Sequence, residues 1–503
     1  MVKMDKGRIK LNEEIDVKYE VDVLVVGGGS AGFGAAISSS RNGVKTMLVE
    51  KYGCLGGLVT LGIVCYMAGY PEGVGKELLE KLREKGGIGE KKRICDPEKT
   101  KYVMEKMAIE SGVKILYWTY VIDSIVEDNE IKGVIFQNIS GRGAILAKRV
   151  IDCTGDAEVS YFAGVPVEIG WELMNGYNQA VSLDFVMSNV DLNSFNSSDF
   201  YSKVQMKIEE AAKKGKLPRL VEKGYLGAFP NRPTEKVDVY VCTAHSRKCR
   251  TTDAEDLTRI VIEQRDQIQK LVEFYKENVV GFENAWLSYT ASILGIRESR
   301  RIVGEYKLTG EDLVLAKKFK DAIARDTHGF DIHNPVEDLP HIKHTHLKEP
   351  KEPAYCTDRE REDGRTCCVK NNLKGKYRAY LKPGEYYEIP YRCLIPVKID
   401  NLLVAGRCIS TDFEAQSGTR LIMTCITMGH AAGTAASLSI KEKVVPRKLN
   451  VEYLRDKLVK EGINLKEKPP TYVKGGPCNV PENAEFIITT EQGEDEIRIK
   501  NKK

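Results

Sequence analysis

The pattern Gly27-x-Gly29-x-x-Gly32 stands where an apolar stretch, Val21–Val26, gives way to small residues, Ala31–Asn42, suited to a helix packed close on a sheet. In such a turn the first glycine permits the tight reversal and the second lets the backbone approach a pyrophosphate. The third brings the helix against the strand. The helix N-terminus then faces the phosphates, where its N–H groups and positive dipole end favour an anion. Gly28, Ser30 and Ala31 complete the candidate cradle. A second apolar strand, Lys45–Glu50, ends on a carboxylate that can accept hydrogen bonds from an adenosine ribose, with Lys51 beside it. The spacing predicts dinucleotide binding by a strand–helix–strand unit of a parallel sheet. A plain glycine turn would leave Glu50 unexplained.

Other residues have weaker signals. The loop Cys54–Thr60 carries Gly56 and Gly57, and such a loop can run along a flat ring because glycine removes the side chain that would clash. Cys54 could be redox-active there, although a buried inert cysteine is the commoner case. Arg297, Arg300 and Arg301 lie close together, with Arg297 and Arg301 one helical turn apart on an expected helix. They could orient an anionic or hydroxylated substrate, or simply bridge to Glu298 and Glu305. His333, followed by Asn334 and Pro335, sits in a constrained loop and could act as an acid or base. His341, His344 and His346 have an H-x-x-H-x-H spacing in a charged loop that can equally be solvated. The chain has 13 cysteines and no C-x-x-C pair, and the groupings Cys242 with Cys249, and Cys356 with Cys367 and Cys368, are too loose for an iron–sulfur or zinc site. No metal is expected, and the thiols read as reduced, in the cytoplasm.

These residues must be positioned by more than one lobe, since 503 residues exceed one ordinary core. Hydrophobic residues at 42% and charged residues at 29% suit a soluble globular chain. A net charge of +4 gives no reason to expect nucleic acid or a membrane as partner. The N-terminus lacks the apolar core of a secretory signal, and the longest apolar stretches fall far short of the ~20 residues of a membrane span. After the first unit come the stretch Val113–Trp118, a hairpin of Val121–Val126 and Ile131–Gln137 around E-D-N-E, and the strand Arg149–Thr154. From Glu168 to Glu385 the texture changes to expected helices at Asp199–Lys214, Ala254–Asn278 and Glu311–Arg325 between polar loops. A buried strand, Asn401–Ala405, then precedes a small-residue helix from Arg420 to Ser439. The expected architecture is an α/β, Rossmann-like, three-layer domain with a mainly parallel sheet. It is assembled from residues 1–168 and 386–445, with an inserted α+β substrate domain at 169–385 and a helix and polar tail at 446–503.

The segments V-V-G-G-G-S-A-G, V-I-D-C-T-G-D ending at Asp156, G-I-R-E-S-R-R-I-V-G-E-Y around Arg297, D-I-H-N-P around His333, Y-E-I-P-Y-R-C-L-I-P around Tyr391, N-L-L-V-A-G-R-C-I-S through Gly406 and T-M-G-H-A-A-G-T-A-A together sample residues 20 to 440. In these the chain resembles the FAD-dependent oxidoreductases of the glutathione-reductase-like superfamily, in the branch with an inserted substrate domain. The resemblance implies bound FAD, approached near its ribose and pyrophosphate by Thr154, Gly155 and Asp156. Val121 would meet the adenine through its backbone, and Gly406 and Arg407 would lie by the pyrophosphate and ribityl chain. The helix after Thr419 would point its positive end, with Arg420, at the pyrimidine edge of the flavin. The plain alternative for Asp156 and Arg407 is a surface ion pair. Where the family usually reads T-H-E-A, this chain has Thr411-Asp412-Phe413-Glu414-Ala415, which leaves no histidine for an active-site role there.

The implied function is hydride transfer between a small organic substrate and FAD, with Arg297, Arg300 and His333 as catalytic candidates and an electron donor or acceptor still to be named. A single glycine fingerprint and no C-x-x-C pair disfavour a pyridine-nucleotide disulfide reductase. Two alternatives stand beside it. One is a non-redox dinucleotide binder like the thiazole-biosynthesis proteins, which hold an NAD-derived adduct; the other is a flavin-carrying subunit of an electron-transfer complex. The modest charge argues against the RNA-modifying flavoproteins, and a homo-oligomer is compatible with everything above.

Overall fold

The structure is a computed structural model. It describes residues 13–465 apart from 90–92, 173–174, 192, 194–199, 218–224, 231–234, 334, 336–343, 348–352, 357–367, 370–376 and 379–384, together with the strand segments 2–5, 8–11, 484–488 and 497–501. Residue His341 and Cys367 lie outside the described residues, as do the side chains of His344, His346, Cys356 and Cys368.

Val17–Val26 (β1) begins exposed and ends with Val23–Val26 buried, which is why its second half reads as a continuous apolar run instead of an alternation. Ser30–Arg41 (α1) follows, then Thr46–Val49 (β2). Two helices, Gly73–Glu84 (α2) and Pro97–Glu110 (α3), lead to Lys114–Leu116 (β3). Asp96 starts α3 by accepting from the amides of Glu98 and Lys99, with Pro97 in the first turn. The hairpin is Tyr120–Glu127 (β4) and Glu130–Asn138 (β5). Its two turn residues, Asp128 and Asn129, both have positive φ, the geometry that matches strand twist in a two-residue turn.

Gly141–Asp152 (β6) is the hinge of the sheet. Its first half pairs antiparallel with β5, and the stretch before Asp152 pairs parallel with β1. The order is β3-β2-β1-β6-β5-β4, with β1, β2, β3 and β6 parallel.

The chain then leaves this sheet. Phe185–Asp191 (β7), Tyr225–Ala228 (β8), Lys236–Cys242 (β9) and Trp286–Thr290 (β10) form a separate antiparallel sheet in the order β8-β9-β7-β10. The helices Phe200–Lys213 (α4) and Ala254–Asn278 (α5) fall where the sequence predicts them. The expected helix Glu311–Arg325 does not form as such. Only Gly310–Val314 (α6) is helical, and Ala322–Asp326 is a fully buried strand (β11) paired with Tyr387–Pro390 (β12). Pairing with a strand distant in sequence outweighs local helix propensity here.

Leu402–Val404 (β13) returns to the first sheet, parallel to Val150–Asp152 of β6. Phe413–Thr419 (α7), Ile422–Lys441 (α8) and Val451–Lys460 (α9) complete the described core. Helices α1 and α8 lie backbone to backbone. A side chain at Gly429 would strike the carbonyl of Ala31, and one at Gly433 would strike that of Ala35. Ser38 and Ser39 of α1 donate to the carbonyls of His430 and Gly433 across the seam. Among the described residues no single helix is long and apolar enough to cross a membrane, and apolar α8 is buried inside the fold.

Candidate cofactor and active site

The three glycines of the first turn differ in what they need. Gly27 has φ +97°, and a Cβ there would stand 2.5 Å from the carbonyl oxygen of Cys153. A Cβ on Gly32 would stand 1.7 Å from the carbonyl oxygen of Gly27. Gly29, with φ −70° and ψ −167°, has a backbone open to any residue, and a Cβ there meets nothing within 4 Å. No protein atom requires a glycine at position 29. It precedes the first turn of α1, where Ser30, Ala31 and Gly32 carry N–H groups without intrahelical partners and no side chain caps the helix.

Glu50 is buried and its Oε2 accepts from the amide of Gly28 at 2.6 Å, while Oε1 accepts from Tyr52 at 2.9 Å. Burial pushes its carboxyl up, and those two amides work against the shift. The N–H of Thr119 donates to the Glu50 carbonyl at 3.1 Å, which brings the start of β4, with Val121 buried on it, to the same end of the sheet. Lys51 faces Glu158 at 3.5 Å. Gly56, at φ +105°, donates to the carbonyl of Gly28, and Gly57 lies so close that its Cβ would be 3.1 Å from the Cα of Gly29.

Two further turns meet this one. Thr154 bonds Asp152 through both its amide and its hydroxyl. Arg407 pairs with Asp156 at 2.6 Å, donates to the carbonyl of Gly155 at 2.7 Å and to that of Ile296 at 3.0 Å. The pair is no loose surface contact, because both side chains are mostly buried. Burial pushes the Asp156 carboxyl up, but Arg407 and Lys51 together bring it below its ordinary value. Gly406 packs against α1, where a Cβ would stand 3.0 Å from that of Ala31.

The arginines expected on one helix are on none, and Arg300–Ile302 forms a short strand against Val167–Ile169. Arg300 and Arg301, neighbours on that strand, point to opposite sides, and Arg297 lies outside it. Arg300 reaches the carbonyl of Asp156 at 3.3 Å and stacks on Tyr161 at 4.4 Å, on the side of the dinucleotide turns. Arg301 is buried against Glu298, the plain ion-pair reading, whereas Glu305 pairs with Arg447. Arg297 enters a different cluster. It donates to the carbonyl of Ala180 at 2.8 Å and lies 3.1 Å from Nε2 of His245.

His333 stacks on His245 with ring centroids 5.7 Å apart, and its Nε2 lies 3.7 Å from Asp331. Asp331 pairs with Arg420 at 2.9 Å, at the break between α7 and α8. Burial lowers the proton affinity of the Arg420 guanidinium, with Asp331 opposing and the nearby charge of Arg297 adding to the depression. Gln416 donates to the carbonyl of Arg297 at 2.8 Å and accepts from Gln179 at 3.1 Å, and Gln179 in turn accepts from the amide of His333. The cluster thus holds Arg297, His333 and Arg420 together. His245, Asp331, Gln179 and Gln416 belong to it without having been singled out from sequence.

Phe413, in place of the family histidine, stacks on Trp171 at 4.7 Å, and Asp412 caps α7. Position 413 serves packing. Burial pushes the Cys54 thiol up, which disfavours the reactive thiolate. Among the described residues no group of three or more His, Cys, Asp or Glu side chains is placed to hold a metal ion.

The family model for FAD-dependent oxidoreductases matches residues 22–458. The thiamine thiazole synthase of Methanococcus vannielii is 35% identical over 156 residues, which is 28% of this chain and 58% of that protein. The digeranylgeranylglycerophospholipid reductase of Methanocella arvoryzae is 27% identical over 210 residues, 37% of this chain and 50% of that one. The chain spans about half the length of such curated relatives. A crystal structure of a geranylgeranyl bacteriochlorophyll reductase-like protein from Thermoplasma acidophilum is similar over 88% of this chain and 84% of that chain, at TM-score 0.44 and 16% identity. With a match running from β1 into the last described helix, the chain belongs to the FAD-dependent oxidoreductase family.

Proposed function

We propose that the protein is a flavoenzyme, of the glutathione-reductase-like superfamily, that moves a hydride between a small organic substrate and bound FAD. One observation supports this most. Arg407 ties the Gly155 turn, which follows the Cys153–Thr154 backbone packed on Gly27, to the carbonyl of Ile296, and the next residue is Arg297 of the polar cluster. A dinucleotide cradle and a cluster of acid–base groups are thus joined by one side chain.

The residues present fit FAD. The open space before Gly29 and the uncapped start of α1, with Ser30, Ala31 and Gly32, suit a pyrophosphate. Gly27, Gly28, Gly56, Gly57, Thr154, Gly155, Asp156, Gly406 and Arg407 would surround it, with Glu50, Lys51 and Val121 at the adenosine end. FAD supplies the two-electron chemistry when bound. Arg420 and the start of α8 would add positive charge near the flavin ring. His333 would hold or move a proton, and Arg297 would orient the substrate, while Arg300 would support the Asp156 turn. Nine buried or half-buried free cysteines among the described residues support a cytoplasmic setting.

Anaerobic bleaching of the flavin by one member of a metabolite panel tests the hydride reading. A protein that is colourless as purified and after reconstitution, and carries an NAD-derived adduct, would favour the thiazole-synthase-like alternative. Glu50→Ala should weaken FAD binding by roughly 10- to 100-fold, since a hydrogen bond to a carboxylate is worth about 1.5–3 kcal/mol. Its effect on the rate of flavin reduction in the loaded enzyme should be small. Equal FAD affinity in the two proteins would remove Glu50 from the ribose.

A further inference from the structure

Arg297 is a half-buried cation, yet among the described residues none of its hydrogen-bond partners is a carboxylate. Nη1 donates to the Ala180 carbonyl at 2.8 Å, and Nη2 lies 3.1 Å from His245 Nε2 and 3.9 Å from the Cys242 sulfur. The ring of His245 has one tautomer that satisfies both sides. Its Nδ1 lies 3.0 Å from the carbonyl of Thr243, which only accepts, so Nδ1 carries the hydrogen. Nε2 then offers its lone pair to the guanidinium, which only donates. His245 therefore holds Arg297 in place without neutralising it. Asp184, the acid that senses Arg297, makes no hydrogen bond to it and is pushed up to about 6, mainly by burial.

A guanidinium drawn out of water with neutral acceptors alone is poorly compensated, and an anion completes it. The surroundings match that need. Arg420 is close enough to repel Arg297, and its Nε has no acceptor among the described residues. Asp331 offsets the charge of Arg420, while Asp184 acts on Arg297 only from a distance, so among the described residues the guanidinium has no carboxylate in hydrogen-bond contact. A singly charged, planar oxyanion fits the fork of an arginine better than a phosphate dianion would fit this balance. We infer that the substrate carries a carboxylate, held by the unused N–H groups of Arg297 beside the stacked rings of His245 and His333. His245 is a positioning residue in this arrangement. The inference rests on reading the cluster as the substrate site of the flavoenzyme.

The test uses the full-length, FAD-loaded protein. Acetate, oxalate and benzoate are titrated against acetamide, benzamide and inorganic phosphate, reading both the flavin absorption band and the melting temperature. At least one carboxylate should bind saturably, and its amide and phosphate should bind more weakly. Arg297→Gln should weaken that carboxylate roughly 10-fold or more, the loss of a charge-assisted hydrogen bond, with Arg297→Lys intermediate. His245→Phe should weaken it as well, and His245→Asn, which keeps an acceptor for Arg297, should recover part of the loss. No saturable carboxylate binding, equal binding of the amides or phosphate, or unchanged affinity in Arg297→Gln would overturn the inference. The melting readout needs no flavin band, so a protein that fails to hold FAD refutes the flavoenzyme reading while still judging the carboxylate.

Discussion

Replacing Gly29 with valine should give a folded protein that no longer retains FAD. The backbone at this position, φ −70° and ψ −167°, is extended with no positive φ to demand a glycine, and a Cβ meets no protein atom within 4 Å. The substitution therefore costs the apo-protein little. Its whole effect falls on whatever occupies the space in front of the first turn of α1. Displacing a pyrophosphate from two backbone N–H groups forfeits about 3–6 kcal/mol at about 1.5–3 kcal/mol for each hydrogen bond to a charged group, or roughly 10²- to 10⁴-fold in affinity. Gly32→Ala is the contrasting variant. Its Cβ would stand 1.7 Å from the Gly27 carbonyl oxygen, so it should destabilise the fold itself. Melting curves of both apo-proteins, with FAD content measured after denaturation, separate the two effects. Full FAD retention in Gly29→Val would refute the cradle.

The second large effect is expected at His333. His333→Gln keeps a hydrogen-bonding side chain of similar reach but removes acid–base capacity. If the histidine moves the substrate proton, flavin reduction under anaerobic, substrate-saturated conditions should slow by roughly 10²- to 10⁴-fold with FAD still bound. The ring is buried, stacked on His245, 3.7 Å from Asp331, and its backbone is fixed through Gln179. Such support holds a proton-transfer group in one orientation. A reduction rate indistinguishable from the parent's would leave His333 a structural role only.

What the sequence disclosed and what it hid follow from the range of the interactions. The glycine turn, Glu50 and the Asp128–Asn129 hairpin are local: strand, turn and partner lie within a few dozen residues, and each needs a specific residue type. The start of α3 is marked just as locally, since Asp96-Pro97-Glu98 carries a cap and an N-terminal proline. Arg297 and Arg301 share the spacing of one helical turn, yet Arg300–Ile302 is held extended by a strand at Val167–Ile169. Likewise, β11 owes its form to β12, across a long stretch of chain. His245, Asp331, Gln179 and Gln416 come from four separate segments, and of these only Asp331 stands near a residue that the sequence marks, His333. Only the tertiary fold makes them a cluster.

The most direct measurement is the identity and stoichiometry of the cofactor released when the purified, reconstituted protein is denatured. The account predicts FAD at about one per chain, the single glycine fingerprint allowing one dinucleotide. Release of FMN, of an NAD-derived adduct, or of no cofactor at all would contradict it.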